Sequence, residues 1–178
     1  NLMAEIDLGN VIGRIILIPV LNVAAFHSGA RESVNDDRVN MNRAFIDGAG
    51  ELPGISGITH RIVKFVREHI WPSAHVVIDI HSGGRVARYP PVMLFHPLED
   101  SEQARLTLET ARRFGTPFIG LYQDRTPGLM TSESERLGKI TVGSELGWGQ
   151  FVSAECVRYA RQGTVGAAIM HGQLSGDA

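Results

Sequence analysis

Short β-branched runs alternate with segments of helical period along this chain, and that alternation is the strongest constraint on its fold. Residues 14–21 (Arg-Ile-Ile-Leu-Ile-Pro-Val-Leu) form a continuous apolar run of the kind carried by a strand buried on both faces. Residues 75–80 (His-Val-Val-Ile-Asp-Ile), 92–95, 116–122 and 139–146 read as further strands. Between them Ile58, Ile62, Phe65, Val66 and Ile70 recur at helical spacing, with Arg61, Lys64, Arg67 and Glu68 on other faces and Pro72 as the stop. Residues 100–114 open on Asp100-Ser-Glu-Gln103, which resembles a capping box, and end at Gly115. A short helix near 132–137 precedes the last strand. Ser153 is the expected N-cap of a final helix, interrupted near Gly163. Strands alternating with helices predict an α/β fold, a three-layer sandwich around a largely parallel mixed sheet. The 178 residues predict one domain over 1–178.

The stretch 22–57 breaks the alternation. It is rich in Asn, Asp and Gly, carries turn signals at Asp47-Gly48 and Pro53-Gly54, and reads as a long irregular loop of the functional kind. Composition narrows the function classes further. With 43% hydrophobic and 20% charged residues the chain suits a globular protein, and a net charge of −2 gives no case for nucleic-acid or membrane-surface binding. The longest apolar run contains Pro19 and is far too short to span a bilayer, and the first residues show no basic-then-apolar leader. The one cysteine, Cys156, can form neither an internal disulfide nor a cysteine-rich zinc site, which suits a reducing, cytoplasmic compartment.

Open α/β sheets bind ligands beyond the carboxyl ends of their strands. Three polar clusters stand at such places: Asn40-Met-Asn42-Arg43, Asp79-Ile-His81-Ser82-Gly83-Gly84, and Ser144-Glu145-Leu-Gly147-Trp148-Gly149. His81 has a side chain suited to metal ligation, and Asp79, two residues earlier on the same face of a strand, is placed to orient it. The plainer reading of His81 is a hydrogen-bonded histidine at a strand end. Glu145 is either a general base for water or a surface glutamate. Arg43 and Asn42 offer a forked cationic donor and an amide for a carboxylate, with Arg31 a further candidate in the same loop. Alternatively, these arginines pair with local acids such as Asp36 and Asp37. His27, His60, His69 and His171 read as packing or surface residues. Pro97 makes His96-Pro-Leu-Glu99 a poor metal pair, and Cys156 inside a helix gives no case for a nucleophile. No nucleophile elbow, P-loop or dinucleotide fingerprint is present.

The order of the motifs adds what single residues cannot. Gly13-Arg-Ile-Ile-Leu-Ile-Pro-Val-Leu-Asn22, then Asn40-Met-Asn-Arg-Ala-Phe45, then Asp79-Ile-His-Ser-Gly-Gly84, then Glu145-Leu-Gly147, resembles the succinylglutamate desuccinylase/aspartoacylase family, which is related to zinc carboxypeptidases. The His-Ser-Gly-Gly and Glu-Leu-Gly forms look most like its N-acetyl-diaminobutyrate deacetylase branch. The similarity runs from about Gly13 to Leu174. It implies a zinc carboxypeptidase-like fold and zinc-dependent hydrolysis of the amide of an N-acyl amino acid, the acyl group being acetyl or succinyl-like. On that template His81 is a zinc ligand, Glu145 the general base and proton shuttle, Arg43 and Asn42 the holders of the substrate carboxylate, and Arg31 the arginine that polarises the scissile carbonyl.

The resemblance also raises expectations about what is missing. Its members carry a His-x-x-Glu motif ahead of the first strand, and the residues before Gly13 hold no histidine. The chain begins with Asn1 and ends at Ala178, ahead of the small β-rich domain usual in the family. It is therefore expected to be a middle portion of a longer protein or a degenerate member, to expose apolar surface, and to self-associate as a homo-oligomer. Trp148, where the branch often has glycine, is expected to narrow the pocket. Two other functions remain open: a zinc carboxypeptidase cleaving peptide bonds, and a metal-free anion-binding module.

Overall fold

The computed structural model describes residues 2, 6–46, 57–85, 87–123, 125–149 and 151–176. Asn1 and the turns expected at Asp47-Gly48 and Pro53-Gly54 lie outside the described residues. Among them the elements run α1 (Val23–Ser28), α2 (Ile58–Phe65), β1 (Val76–Asp79), β2 (Val92–Phe95), α3 (Ser101–Arg112), β3 (Phe118–Leu121), α4 (Met130–Arg136), β4 (Ile140–Glu145) and α5 (Ala154–Met170). The four strands form one mixed sheet in the order β1-β4-β2-β3. The chain divides into two compact units, residues 1–17, 78–123 and 140–178 in one, and 18–77 with 124–139 in the other, the division falling within β1.

In the first unit β2 is the hub. It runs parallel to β3, pairing Val92 with Phe118 and Phe95 with Leu121, and antiparallel to β4, pairing Val92 with Glu145 and Leu94 with Gly143. Helix α3 starts as expected: the Asp100 carboxylate accepts the Gln103 N–H at 2.7 Å, and Gly115, at φ 65°, follows its end. Its Ala111 joins Met93, Phe95, Phe114 and Val142 in a buried cluster, flanked by Ile78 and Leu108. At the sheet's edge β3 leaves Phe118 56% and Leu121 52% exposed.

In the second unit Ala44, Phe45, Val63, Val66 and Trp71 form the core, and the Phe45 and Trp71 rings stack at 5.3 Å. Helix α2 continues through a π turn (Val66–Ile70) into a 3-10 turn (Trp71–Ser73) that holds Pro72 in its first positions. The helical stripe is narrower than its spacing predicts, because Phe65 turns outward.

Three expectations need correction. Residues 14–21 form no strand: among the described residues no strand pairs with them, Arg14 N donates instead to the Gln173 side chain, and Ile16 and Ile18 are exposed. A strand exists only through its ladder, so β-branched content alone could not make one. The loop 22–57 contains α1, whose Asn22 cap accepts from Ala25 N at 3.0 Å and whose end is closed by Gly29 at φ 64°. Six residues are too few for a helical period to show. Finally, α5 is continuous through Gly163.

Gly163 has a packing role. A Cβ there would fall 2.1 Å from the Phe114 ring, so only glycine lets α5 approach the core this closely. Gly163→Ala is expected to lower stability by about 1–3 kcal/mol through overpacking, even though alanine is the better helix former. Urea unfolding measures it; an unchanged or raised midpoint would contradict this packing.

Candidate active site

Strands β1 and β4 deliver their carboxyl ends side by side, and the loops beyond them are joined by main-chain hydrogen bonds. Leu146 N donates to His81 O at 2.8 Å, Gly83 N to Gly147 O at 3.0 Å, and Gly149 N to Gly84 O. Ser144, the penultimate residue of β4, accepts the His81 N–H on its hydroxyl at 3.1 Å. Glycine is required on the His81 side: a Cβ on Gly83 would sit 2.0 Å from the Ala87 carbonyl oxygen, and Gly84 has φ 63°.

On this frame His81 Nε2 lies 3.0 Å from Asp79 Oδ2, with the histidine exposed and the aspartate half-buried. Glu145 ends β4 next to the loop junction and is half-buried. Trp148 carries the Arg88 guanidinium over its ring at 4.3 Å, a cation–π contact on the same pair of loops. Tyr122 follows β3, and its N–H donates to Phe95 O at 2.9 Å. Its phenol is pushed up to about 12, first by burial and then by the negative charges of Glu145 and Asp79 and by Tyr89. Burial is the largest part of that shift, and the two carboxylates add to it. No motif marks it in sequence, and its only signal is its place just after a strand.

The second unit holds Asn42 and Arg43 in a 3-10 turn (Met41–Arg43) capped by the Asn40 side chain, which accepts from Asn42 N at 3.0 Å. Asn42 Oδ1 accepts the Met130 N–H at 2.8 Å. Arg43 Nη1 donates to the Asn42 carbonyl, and among the described residues Arg43 pairs with no carboxylate. Arg31 is exposed, also outside any ion pair of the described residues. Asp36 and Asp37, the acids expected to pair with these arginines, turn instead to the start of α2. Asp36 accepts from Ile58 N at 3.3 Å, and Asp37 accepts from Thr59 N at 2.8 Å and Thr59 Oγ1 at 3.0 Å.

Five further histidines pack against a neighbouring ring or meet a polar side chain. His96 is buried, its ring 5.2 Å from that of Tyr122, while Glu99 is exposed. His60 lies 3.7 Å from Asp37, His69 packs on Phe65, His27 on Phe26, and His171 shares a 2.8 Å hydrogen bond with Thr110. Cys156 is buried in α5. His81 backed by Asp79 suits a single imidazole ligand with its carboxylate partner. Among the described residues, however, no three His, Cys, Asp or Glu side chains converge, so they do not by themselves build a zinc site.

The family model for the succinylglutamate desuccinylase/aspartoacylase catalytic domain matches residues 1–169. The chain belongs to this family. It is 33% identical to the N-alpha-acetyl-L-2,4-diaminobutyric acid deacetylase of Halomonas elongata, across 99% of this chain and 50% of that protein. The product-bound ectoine utilization protein EutE (DoeB) of Ruegeria pomeroyi superposes with TM-score 0.87 at 31% identity, over 99% of this chain and 52% of that one. The succinylglutamate desuccinylase/aspartoacylase of Rhodobacter sphaeroides gives TM-score 0.85 at 28% identity, over 98% and 50%. The chain therefore spans about half the length of these relatives. The mixed sheet with its helices is the zinc carboxypeptidase-like architecture of desuccinylases and aspartoacylases. Among the described residues of this family member no helix is long and apolar enough to cross a membrane.

The raised phenol carries a pH dependence with a definite sign. The folded chain keeps the Tyr122 proton that the unfolded chain gives up from pH 10, so the stability this group contributes is present below 10 and lost as pH rises toward 12. Spectrophotometric titration is expected to show a tyrosine component ionising near 12, absent in Tyr122→Phe and moved toward 10 in Glu145→Gln and Asp79→Asn. A late component indifferent to both carboxylates would refute the assigned field.

Proposed function

We propose that this chain carries part of the catalytic apparatus of a metal-dependent deacylase that removes an acetyl or similar acyl group from an N-acyl amino acid. The observation that carries the reading is the hydrogen-bonded junction of the β1 and β4 loops, where His81, Asp79 and Glu145 stand together at strand ends in a member of a deacylase family. Zinc is the proposed cofactor, with His81 as one ligand and Asp79 behind it. Zinc would supply Lewis-acid polarisation of the acyl carbonyl when bound.

Glu145 is proposed to take the proton of the attacking water and return it to the leaving amine. Asn42 and Arg43 are proposed to bind the substrate carboxylate, the guanidinium through a charge-assisted pair and the amide through its N–H groups. Arg31 is assigned to the scissile carbonyl by the family template alone. Cytoplasmic location and homo-oligomerisation belong to the same proposal.

The test is turnover of N-acetyl-L-2,4-diaminobutyrate with zinc added and with chelator. Glu145→Gln is expected to lower kcat by about 10²–10⁴ with little change in KM. Arg43→Ala is expected to raise KM by about 10–100-fold, the worth of a charge-assisted hydrogen bond to a substrate. Undiminished kcat in Glu145→Gln would remove its role as base. Carboxylate binding that persists in chelator without any turnover would favour the metal-free binding module, and preference for peptides over N-acyl amino acids would favour the carboxypeptidase.

A further inference from the structure

We propose that Arg88, laid over the ring of Trp148, is a specificity-determining residue of the candidate active site. It receives a second carboxylate of the substrate, so that the preferred N-acyl amino acids carry two negative charges. This rests on the deacylase reading above and narrows its substrate class.

The place of Arg88 is set from both sides. Ala87 N donates to Gly83 O at 3.2 Å, and a Cβ on Gly83 would lie 2.9 Å from Cδ2 of Tyr89. The residues before and after Arg88 thus fold back onto Gly83, two positions beyond His81. Its side chain then crosses to the β4 loop, where the guanidinium carbon stands 4.3 Å from the centre of the Trp148 ring. Trp148 is three positions beyond Glu145, and the glycines on either side of it have left-handed backbone, Gly147 at φ 104° and Gly149 at φ 62°. Both are tied to the His81 loop, Gly147 O accepting from Gly83 N and Gly149 N donating to Gly84 O. The Arg88–Trp148 pair therefore belongs to the same hydrogen-bonded junction as His81 and Glu145.

What this guanidinium can do follows from how it is held. An aromatic ring attracts the cation through its quadrupole and leaves the positive charge unneutralised. Among the described residues Arg88 forms no ion pair, and its side chain is exposed. Of the acids at the junction, Asp79 is engaged with His81 at 3.0 Å. Residues 80–91, which link β1 to β2, contain Arg85 and Arg88 and no acid. The loop thus brings positive charge to the site, and in Arg88 that charge is held in one place. A carboxylate meets it through the forked N–H donors, and much of the ordering such a contact requires has already taken place against the ring.

Arg43 is assigned above to the substrate carboxylate common to all amino acids, so a second cation points to a second carboxylate. Two parts of an N-acyl amino acid can supply it: the far end of a dicarboxylic acyl group, or an acidic amino-acid side chain. An ammonium group in the same place is repelled.

The test compares kcat/KM of the zinc-supplemented protein for N-acetyl-L-alanine, with one carboxylate, and for N-succinyl-L-alanine and N-acetyl-L-aspartate, each with two. Ratios to the first substrate cancel any general loss of folded protein or of catalytic power. At least one ratio is expected to exceed one in the unaltered protein and to fall at least about tenfold in Arg88→Ala, mainly through KM, as for one lost hydrogen bond to a charged group. Which ratio falls identifies the source of the carboxylate. Arg88→Lys, which keeps the charge but not the fork, is expected to lie between. Both ratios unchanged in Arg88→Ala would overturn the proposal and leave the contact with Trp148 as a brace between the loops.

A second readout needs no turnover. The chain has two tryptophans, and Trp71 is buried in the core of the other unit. With fluorotryptophan incorporated, the fluorine resonance of Trp148, identified by its loss in Trp148→Phe, reports on this pair. Succinate is expected to shift it saturably at constant ionic strength, acetate far less, and neither to shift it in Arg88→Ala. Succinate and acetate acting alike, or a succinate shift that survives in Arg88→Ala, would count against the anion site. If no N-acyl amino acid is turned over while succinate still moves the resonance through Arg88, the deacylase reading fails and the anion site stands. If turnover occurs and both ratios ignore Arg88, only the role of Arg88 fails.

Discussion

Both main-chain polar groups of His81 are taken by β4 and the residue that follows it, the N–H by the Ser144 hydroxyl and the carbonyl by Leu146 N. The first unit's candidate chemistry depends on that double attachment. It satisfies backbone groups that would otherwise be stranded at a strand end, and it fixes the path of the chain where the imidazole leaves it. The side chain then has few choices, and the Asp79 carboxylate at 3.0 Å selects one of them. The same attachment sets the end of β4, so Glu145 inherits its position from the pairing that holds His81. Gly83 and Gly84 allow the chain to turn back at once, which keeps the two loops in register as far as Gly149.

Much of this was legible in the sequence because strand ends announce themselves. The runs 75–80 and 139–146 each stop at a polar cluster, and these two clusters are where the β1 and β4 loops join. Two kinds of information were not legible. One is pairing: residues 14–21 look like a strand, yet a ladder depends on a neighbour that local composition cannot report. The other is close approach. Gly163 reads as a helix breaker because glycine weakens an isolated helix, whereas here the missing Cβ is space for the Phe114 ring. Gly128 is marked by no motif in the sequence, and its contact with the Arg43 backbone joins residues 85 positions apart.

Helix α4 inverts the usual reading of polarity. Thr131, Ser132, Glu133, Ser134 and Glu135 are all buried, five polar residues in a row that a hydropathy pattern would assign to a surface. Glu133 shows why the arrangement holds: one carboxylate oxygen accepts the Gly128 N–H and the other accepts from Arg136, so the charge enters the interior with both oxygens engaged. Ser134 similarly donates to Thr131 O within the helix. Beyond Met130, which packs against the second unit's core, such a helix gains little from hydrophobic burial of its own. Its place follows from the turn it steadies, whose Gly128 and Met130 touch the Asn42–Arg43 segment.

The fate of the acids in 22–57 bears on what the arginines of that region can do. Acid and arginine close in sequence suggest ion pairs, but a helix start competes for the same carboxylates with main-chain donors that have no other partner. Burial pushes the Asp37 carboxyl up, and the donors Val39 N, Thr59 Oγ1 and Thr59 N more than offset it, holding the group below the usual carboxylate range. An exposed arginine adds little to a carboxylate so engaged, because surface ion pairs are weak and lose side-chain freedom on forming. Arg43 is therefore left without an internal acid among the described residues by the way α2 is capped. A guanidinium in that state would meet an incoming carboxylate without first breaking an ion pair to Asp36 or Asp37, which is where the capping of α2 bears on the anion-binding role proposed for Asn42 and Arg43.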